Sequence, residues 1–359
     1  MADIHRKASD AIARKSYTLS QTIVAQQYKL QPNEWEHFGE KHLEKSTRDT
    51  LYHLSHLSQA LAAGSPQIFA EYGIWCKTLF TYLGFVDNAM STTLNCMRSV
   101  IGEYLPPDQR EVAWAYIDQA LAQLPVITSA PTSFISPDAP LYEVAQDYLE
   151  ALLSKQQIQA RLCILRAAQQ GARVQDIYMY VLQPCQREIG RLWHMNKVSV
   201  VQEHYATAIT QTMMRQLYPY LLNEVPGNKS QRIVIACVSG EFHELGARML
   251  ADFFQMAGWD TCFLGANTPS IGIIEMVLQH HASVLCLSVT STMNVSQATE
   301  TITRLRAVSD LKHVQVMVGG YPFNLVPDLW RQIGADGYAP DAQSAVTIAE
   351  ELVAGLKPW

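Results

Sequence analysis

The sequence predicts an α/β fold combined with all-α segments: a doubly wound parallel sheet at the carboxyl end, preceded by two helical bundles. Three observations support this fold class. Residues 1–225 show apolar residues at helical spacing, without the alternation typical of strands. From residue 230, short runs rich in Val, Ile and Cys alternate with helical stretches, as in a parallel sheet covered on both faces. Residues 125–140, PVITSAPTSFISPDAP, have the composition of a linker.

Length and composition narrow the class of protein. A chain of 359 residues suggests two or three domains, and 48% hydrophobic with 17% charged residues is typical of a globular protein. The net charge of −6 argues against nucleic acid as a direct partner. No run of about 18 uncharged apolar residues occurs, so no membrane partner is expected. The polar N-terminus and seven cysteines without a CxxC pair indicate a cytoplasmic protein with reduced thiols.

Residues 1–125 are predicted to form a helical domain. After a polar lead, the segment 40–63 places leucines at three- and four-residue spacings, at Leu51, Leu54, Leu57 and Leu61. Gly64-Ser65-Pro66 should end this helix, since Gly suits the left-handed cap and Pro the start of the next helix. Aromatic residues dominate a second helix at 67–83, and two more helices follow near 88–104 and 108–123.

A linker at 126–140 leads to a second helical domain at 141–226. Four helical stretches with short connections run from LYEVAQDYLEALLSK to VQEHYATAITQTMMRQLYPYLL, which predicts a four-helix bundle.

The last domain, 228–359, is predicted to be the sheet. Its strand candidates are RIVIACVS, DTCFLGA, SVLCLSVTS and VQVMVGG, with helices near 244–257, 270–281, 294–309, 325–333 and 342–356. Ligands of such sheets bind beyond the carboxyl ends of the strands.

Three short motifs stand at those strand ends. The first strand is followed by EFHELG, residues 241–246; the third ends in Ser288-Val289-Thr290 and the fourth in Gly319-Gly320. Forty-one residues, 247–287, separate the first two motifs, and 28 residues, 291–318, separate the last two. This arrangement resembles the cobalamin-binding fold of cobalamin-dependent methionine synthase, corrinoid shuttle proteins and mutases, whose pattern is Asp-x-His-x-x-Gly, Ser-x-Leu and Gly-Gly. Glu241 replaces the Asp and Thr290 the Leu.

The resemblance implies roles for these residues. His243 would be the lower cobalt ligand in place of the cofactor's own dimethylbenzimidazole, and neutral imidazole is a common metal donor. Glu241 would accept the other imidazole N–H and so fix the tautomer. A slot for the detached nucleotide tail would be kept clear by the small residues, namely Gly246, Ser288, Gly319 and Gly320. Thr290 would be a further cofactor-binding residue. The alternative is that these are ordinary turn glycines and that His243 is a surface residue.

Other ligand motifs are missing or weak. The sequence contains neither GxxxxGK[ST] nor a GxGxxG after a strand, so it lacks the phosphate cradle of nucleotide-binding proteins. His280 and His281 are adjacent on a predicted helix and so point to different faces, which favours surface residues over a metal pair.

The second bundle carries a Trp-x9-Glu-His pattern, Trp193 followed by Glu203 and His204. This pattern resembles CarH-type light-dependent regulators, in which a helical bundle covers the upper face of adenosylcobalamin. The resemblance implies that the three side chains surround the adenosyl group, and that His204 becomes the upper cobalt ligand after photolysis. The alternative is a core tryptophan with a polar helix face.

The first domain lacks the basic recognition helix of the MerR-type DNA reader found in CarH-type proteins. Its aromatic helix FAEYGIWCKTLF and the leucine helix before it resemble the N-terminal domain of photocobilins, which pair cobalamin with a bilin. Biliverdin would then pack on Tyr72 and Trp75, with His53 or His56 as hydrogen-bond partners and Lys77 and Arg98 near the propionates. A dimerisation or partner-docking domain is an equal alternative, and covalent attachment at Cys76 or Cys96 stays open.

Together these patterns predict a light-sensing, signalling photoreceptor without catalytic turnover, binding adenosylcobalamin as a cobalt cofactor and tuned by a bilin. A corrinoid shuttle for methyl transfer with a partner methyltransferase is the alternative. A radical mutase subunit fits less well, because mutases normally add a large barrel. The expected partners are small-molecule chromophores and a downstream protein, and homo-oligomerisation stays open.

Overall fold

The computed structural model confirms the predicted fold class, with helical bundles preceding a parallel sheet covered by helices. The structure describes residues 2–32, 42–126, 129–224 and 230–356. In these ranges no helix has both the length and the apolar character needed to cross a bilayer.

The chain divides into two compact units, each discontinuous in sequence. The first unit comprises Met1–Thr128, Val289–Thr303 and Tyr321–Gly334, and the second comprises Ser129–Ser288, Arg304–Gly320 and Ala335–Trp359. The domain boundaries drawn from the sequence remain predictions.

The N-terminal part of the first unit is helical, as the spacing of its leucines predicted. Its helices are α1 Ala2–Arg14, α2 Ser16–Leu30, α3 His42–Ala63, α4 Pro66–Tyr82, α5 Ala89–Tyr104 and α6 Pro107–Gln123. Leu54, Leu57 and Leu61 are fully buried on α3. Gly64 ends α3 with a φ of +69°, and Pro66 begins α4.

Helices α1 and α2 were not predicted, because their sequence is largely polar. Their few apolar side chains nevertheless face the core: Ile12 and Ile23 are fully buried and Leu19 nearly so. A helix with many polar residues is stable in a protein when its narrow apolar face is packed, since packing outweighs weak intrinsic propensity.

The helical part of the second unit contains α7 Tyr142–Leu153, α8 Gln157–Gln169, α9 Val174–Ile177, a π-helical turn at Tyr178–Leu182, α10 Gln183–His194 and α11 Val200–Glu224. The segment before α7 is held against α10 by a buried ion pair. Arg191 donates from Nε to Glu188 Oε2 at 2.9 Å and from a terminal nitrogen to the Pro131 carbonyl at 2.9 Å. Glu188 also accepts from the Phe134 backbone N–H at 3.0 Å. These bonds fix the predicted linker to the helix that carries Trp193.

The sheet has the order β2-β1-β3-β4-β5, and every neighbouring pair is parallel. Its elements are β1 Arg232–Cys237, α12 Leu245–Met256, β2 Asp260–Phe263, α13 Ser270–Gln279, β3 Val284–Ser288, a 3₁₀ turn at Thr292–Asn294, α14 Val295–Ala307, a 3₁₀ turn at Ser309–Leu311, β4 Gln315–Gly319, α15 Tyr321–Leu325, α16 Leu329–Gln332, β5 Gly337–Ala339 and α17 Ala342–Val353.

Two details differ from the sequence prediction. The short strand β5 was missed, because Gly337-Tyr338-Ala339 gives too few residues for a period to show. The single helix expected near 325–333 is instead the two short helices α15 and α16. Pro327 cannot donate a backbone hydrogen bond and Asp328 takes a φ of +63°, so the chain cannot continue as one helix there.

Helix α12 joins the helical bundle of the second unit to the sheet. Met249, Phe253 and Met256 pack into the core of the bundle, whereas Ala247, Ala251 and Phe254 pack into the core of the sheet. The Tyr178 hydroxyl, on the π-helical turn, donates to the buried Asp252 of α12 at 2.8 Å. Because α12 begins at Leu245, inside the EFHELG motif, this packing holds the motif between the two cores.

Candidate functional site

The three sequence motifs meet at one edge of the sheet. Cys237 at the end of β1 lies in register with Ser288 at the end of β3, and Ser288 lies in register with Gly319 at the end of β4. In this strand order the chain leaves β1 and β3 in opposite directions, which opens a crevice at their carboxyl ends. The EFHELG loop follows β1, so the motifs lie at the place where doubly wound sheets bind ligands.

His243 and Glu241 form the centre of the candidate site. Glu241 is completely buried, and its Oε1 lies 2.5 Å from His243 Nδ1 and accepts from the His243 backbone N–H at 3.0 Å. The His243 side chain itself is 67% exposed. Since Glu241 engages Nδ1, the imidazole is oriented and Nε2 is the nitrogen that can bind a metal.

Electrostatics favour a basic imidazole at His243. The hydrogen bond that His243 donates to Glu241 raises the pKa of His243 above its usual value, partial burial opposes this rise, and the charges of Glu241 and Glu203 add to it. An electron-rich imidazole is a stronger donor to a transition metal, so the chemistry of the pair fits a cobalt cofactor.

The loop that carries the pair is fixed by Asn267, a residue that the sequence analysis missed. Asn267 Oδ1 accepts from the Gly240 N–H at 2.8 Å, and its own N–H donates to the Glu241 carbonyl at 2.8 Å. Asn267 has a φ of +50°, a conformation that Asn tolerates better than most residues. The sequence did contain one signal for this role: Asn267 stands two residues after Gly265 in the β2–α13 loop, where a tight turn is expected.

The small residues of the motifs stand in different surroundings. A Cβ on Gly319 would lie 3.3 Å from the Ala339 carbonyl oxygen, so a side chain there would crowd the backbone of β5. Gly320 has a φ of +111°, which L side chains rarely adopt. Gly246 is exposed and has open space around the position of a Cβ. Ser288 and Thr290 are half-buried. Gly319 and Gly320 are therefore required by the backbone itself, whatever else they border.

The three predicted cap residues lie on α10 and α11. Trp193 is half-buried and packs against the core of the bundle. Glu203 accepts from the Thr207 hydroxyl at 2.8 Å, and its Oε2 lies 3.5 Å from His204 Nε2. The His204 side chain is 74% exposed. The charge of Glu203 adds to the raised pKa of His243.

A hydrogen bond holds α11 to the EFHELG loop. Gln211 Nε2 donates to Glu244 Oε1 at 2.9 Å. The sequence analysis did not single out this pair, since nothing in the spacing of the two residues links them.

Four of the six candidate bilin residues form a cluster in the first unit, which we call the α3–α4 cluster: His53, His56, Tyr72 and Trp75. Tyr72 stacks on His56 at 3.6 Å between ring centroids, and on Trp75 at 6.3 Å. Its hydroxyl lies 2.7 Å from His53 Nδ1. Burial lowers the pKa of His53 to about 4, and burial together with the neighbouring His53 lowers that of His56 to about 3. Both imidazoles are therefore neutral.

The other two candidates are already paired with carboxylates. Lys77 is buried and contacts both the side chain and the carbonyl of Asp87. Arg98 donates to both carboxylate oxygens of Asp118, at 2.6 and 3.2 Å, and lies over the Trp114 ring. An anionic ligand group would have to compete with these partners.

Three family matches cover most of the chain. Residues 144–218 and 231–347 match two families described as B12 binding domains. Residues 3–124 match the family described as phycobilisome protein. The first two matches cover α7–α11 and the sheet, and the third covers the N-terminal helices.

Individual relatives agree with the B12-binding matches. Dimethylamine corrinoid protein 3 of Methanosarcina mazei is 32% identical over 123 residues, which are 34% of this chain and 72% of that protein. The HTH-type transcriptional repressor CarA of Myxococcus xanthus is 30% identical over 128 residues, which are 35% of this chain and 42% of that protein.

Among solved structures, the monomethylamine corrinoid protein of Methanosarcina barkeri superposes with a TM-score of 0.53 at 19% identity, over 59% of this chain and all of that chain. At this identity the superposition shows a shared fold. The identity and coverage of the Methanosarcina mazei protein, together with both B12-binding matches, show that the chain belongs to the corrinoid-protein family and is a cobalamin-binding protein.

Proposed function

We propose that the protein is a light-sensing signalling protein that binds adenosylcobalamin with the nucleotide base detached and His243 as the lower cobalt ligand. The observation that carries this proposal is the fusion of two B12-binding segments to a phycobilisome-like domain, the latter named for a light-harvesting assembly. Bound adenosylcobalamin supplies a cobalt–carbon bond that visible light breaks. The protein itself performs no catalytic turnover and passes its change of state to a downstream protein.

In this proposal His243 binds cobalt through Nε2 while Glu241 holds Nδ1. The buried carboxylate keeps the ring in one orientation, and its charge keeps the imidazole a strong donor. The slot beside Ser288, Gly319 and Gly320 receives the nucleotide tail.

The helical bundle then acts as the cap over the upper face. Trp193 shields the adenosyl group, and Glu203 orients His204 at a distance of 3.5 Å. If light removes the upper ligand, His204 would be the residue that holds the cobalt from this side, since its side chain is 74% exposed. His243 and His204 would then both hold the cofactor, which would give the bundle the second discrete position that a switch requires.

We further propose that the α3–α4 cluster holds biliverdin. Its stacked aromatic rings and neutral imidazoles suit the flat, weakly polar pyrrole rings of a linear tetrapyrrole. The propionates would displace Asp87 from Lys77 or Asp118 from Arg98. If no red-absorbing band co-purifies when the full chain is expressed with a biliverdin source, this region is a protein-docking domain instead.

A corrinoid carrier for methyl transfer is the second candidate. It is favoured by one observation, the 32% identity to a dimethylamine corrinoid protein. Such a carrier would receive a methyl group from a separate methyltransferase, and His243 and Glu241 would keep the same roles.

The deciding experiment compares dark and illuminated spectra of the full chain loaded with adenosylcobalamin. Free adenosylcobalamin is itself cleaved by light, so cleavage alone is not informative. The experiment therefore records the absorption spectrum of the photoproduct, which depends on the ligands that the protein supplies. We expect wild type to give a product with two imidazole ligands, and His204→Ala to give a product with one. The exposed His313, replaced by Ala, is the matched control and should behave as wild type.

Two results would contradict parts of this proposal. One is an illuminated spectrum of wild type identical to that of His204→Ala, which would refute His204 as ligand. The other is methyl exchange with a methyltransferase without any light-dependent change in the protein, which would favour the carrier. Trp193→Ala should weaken the preference for adenosylcobalamin over hydroxocobalamin.

A further inference from the structure

Two segments of the sheet domain, each a loop together with helical residues, belong to the first compact unit. Residues 289–303 and 321–334 form one unit with residues 1–128, although the strands before and after them lie in the second unit. The first loop starts directly after Ser288, and the second directly after Gly320. The N-terminal helices therefore pack with the continuations of two of the three cobalamin motifs.

Hydrogen bonds fasten the first loop to α3. His56 Nδ1 lies 3.2 Å from the Thr292 hydroxyl, in the 3₁₀ turn that follows β3. The Ser296 hydroxyl donates to Gln59 Oε1. Since His56 and Gln59 are three residues apart on one helix, they present both contacts on the same face. Ser291 caps the turn through the Met293 N–H, which makes the turn a defined structure to hold.

The same histidine belongs to the α3–α4 cluster. The His56 ring stacks on Tyr72 with an angle of 13° between the ring planes. Tyr72 in turn contacts His53 and Trp75. If Thr292 shifts, it therefore changes the position of the His56 ring and its stacking on Tyr72. A ligand that moves the His56 ring would likewise change the position of Thr292.

We propose that the His56–Thr292 and Gln59–Ser296 hydrogen bonds couple occupancy of the cobalamin site to the N-terminal helices, so that each region regulates ligand binding in the other. This inference rests on the proposed function in one respect, the placing of the nucleotide tail beside Ser288. Ser288 is four residues before Thr292, so ordering the strand end around a ligand also orders the turn. By linkage, the coupling changes both affinities by one and the same factor.

The test measures hydrogen exchange of α3 and α4 in the full chain, in the dark, with and without hydroxocobalamin. We expect saturating cobalamin to slow exchange in the peptides around His56 and Tyr72 by about 5-fold or more, the lower end of usual coupling. The double variant Thr292→Val/Ser296→Ala should lose most of this effect and still bind cobalamin. Thr303→Val, on the exposed face of α14, is the matched control, because its hydroxyl bonds only within the helix to Thr299.

A second variant approaches the coupling from the other side. His56→Phe keeps a ring over Tyr72 but cannot hydrogen-bond Thr292, so it too should uncouple the regions. Equal slowing in wild type and both uncoupling variants, or no slowing in wild type with cobalamin bound, would overturn the inference. The light-sensing proposal would survive either result, because no step of this test uses light. A chain that takes up no cobalamin would overturn both.

Discussion

The histidines of the α3–α4 cluster and the histidine of the EFHELG loop show how environment sets the chemistry of one residue type. His53 is 5% exposed and faces a tyrosine hydroxyl, and its pKa is lowered to about 4. His243 is mostly exposed and faces a buried carboxylate, and its pKa is raised. Burial without a counter-charge makes a neutral group suited to packing and hydrogen bonding. A buried carboxylate behind an exposed ring makes a basic donor suited to a metal.

The largest expected effect is acid sensitivity of α3. The folded protein protonates His53 only near pH 4, whereas the unfolded chain does so near 6.5, so the unfolded state binds more protons between these values. Stability is therefore complete above pH 6.5 and falls as the pH drops towards 4, by about 3 kcal/mol for this one group. Native-state hydrogen exchange of α3 amides at pH 7 and pH 4, corrected for the intrinsic rate, measures the loss.

His53→Gln should remove about half of the pH dependence of α3, because glutamine does not titrate, whereas the neighbouring His56, whose pKa is lowered to about 3, still does. Replacing the exposed His313 by Gln should leave it unchanged. If α3 loses the same stability between pH 7 and pH 4 in wild type and in His53→Gln, the buried histidine is not its cause.

The next largest effect should come from removing the metal donor. His243→Ala deletes the imidazole that Glu241 orients, and we expect cobalamin affinity to fall by about 100-fold, the upper end of the losses seen for second-shell changes. Titration with hydroxocobalamin, followed by absorbance, measures both affinity and the loss of the imidazole-ligated spectrum. His313→Ala is again the control. Unchanged affinity and an unchanged spectrum would show that His243 is not the lower ligand.

A smaller effect is expected from Glu241→Gln, which keeps the shape of the side chain and removes its charge. Cobalamin affinity should fall about tenfold. In the cobalamin-free protein, NMR titration should place the pKa of His243 above its usual value in wild type and lower it in the variant. Glu275→Gln, at an exposed position of α13, should change neither quantity. If the pKa of His243 is the same in wild type and in Glu241→Gln, the buried carboxylate is not what distinguishes His243 from His53.

Much of the fold was readable from the sequence because it rests on local patterns. The apolar runs RIVIACVS and SVLCLSVTS indicated β1 and β3, and the leucine spacing indicated α3. The motif at 241–246 also indicated where a ligand would bind, since strand ends of a parallel sheet meet at one edge. Helices α1 and α2 escaped prediction because their burial depends on a few apolar residues against a distant core.

The contacts that sequence reasoning could not supply join residues far apart in the chain. Nothing in the spacing of His53 and Tyr72, or of Gln211 and Glu244, predicts that their polar atoms meet. Lys77, which the sequence analysis placed near a bilin propionate, likewise has Asp87 as its partner in the structure. Composition indicated the linker at 126–140, but its attachment to α10 through Glu188 and Arg191 depends on tertiary packing.

The bond between His56 and Thr292 also has a consequence for biosynthesis, because it spans 236 residues of chain. A ribosome adding about 5–20 residues per second needs about 12–47 seconds to make the second partner after the first. During that interval the N-terminal helices have emerged, but the face of α3 that receives the turn has no occupant from its own chain. The nascent protein therefore presents this surface to its surroundings until the sheet domain has been made.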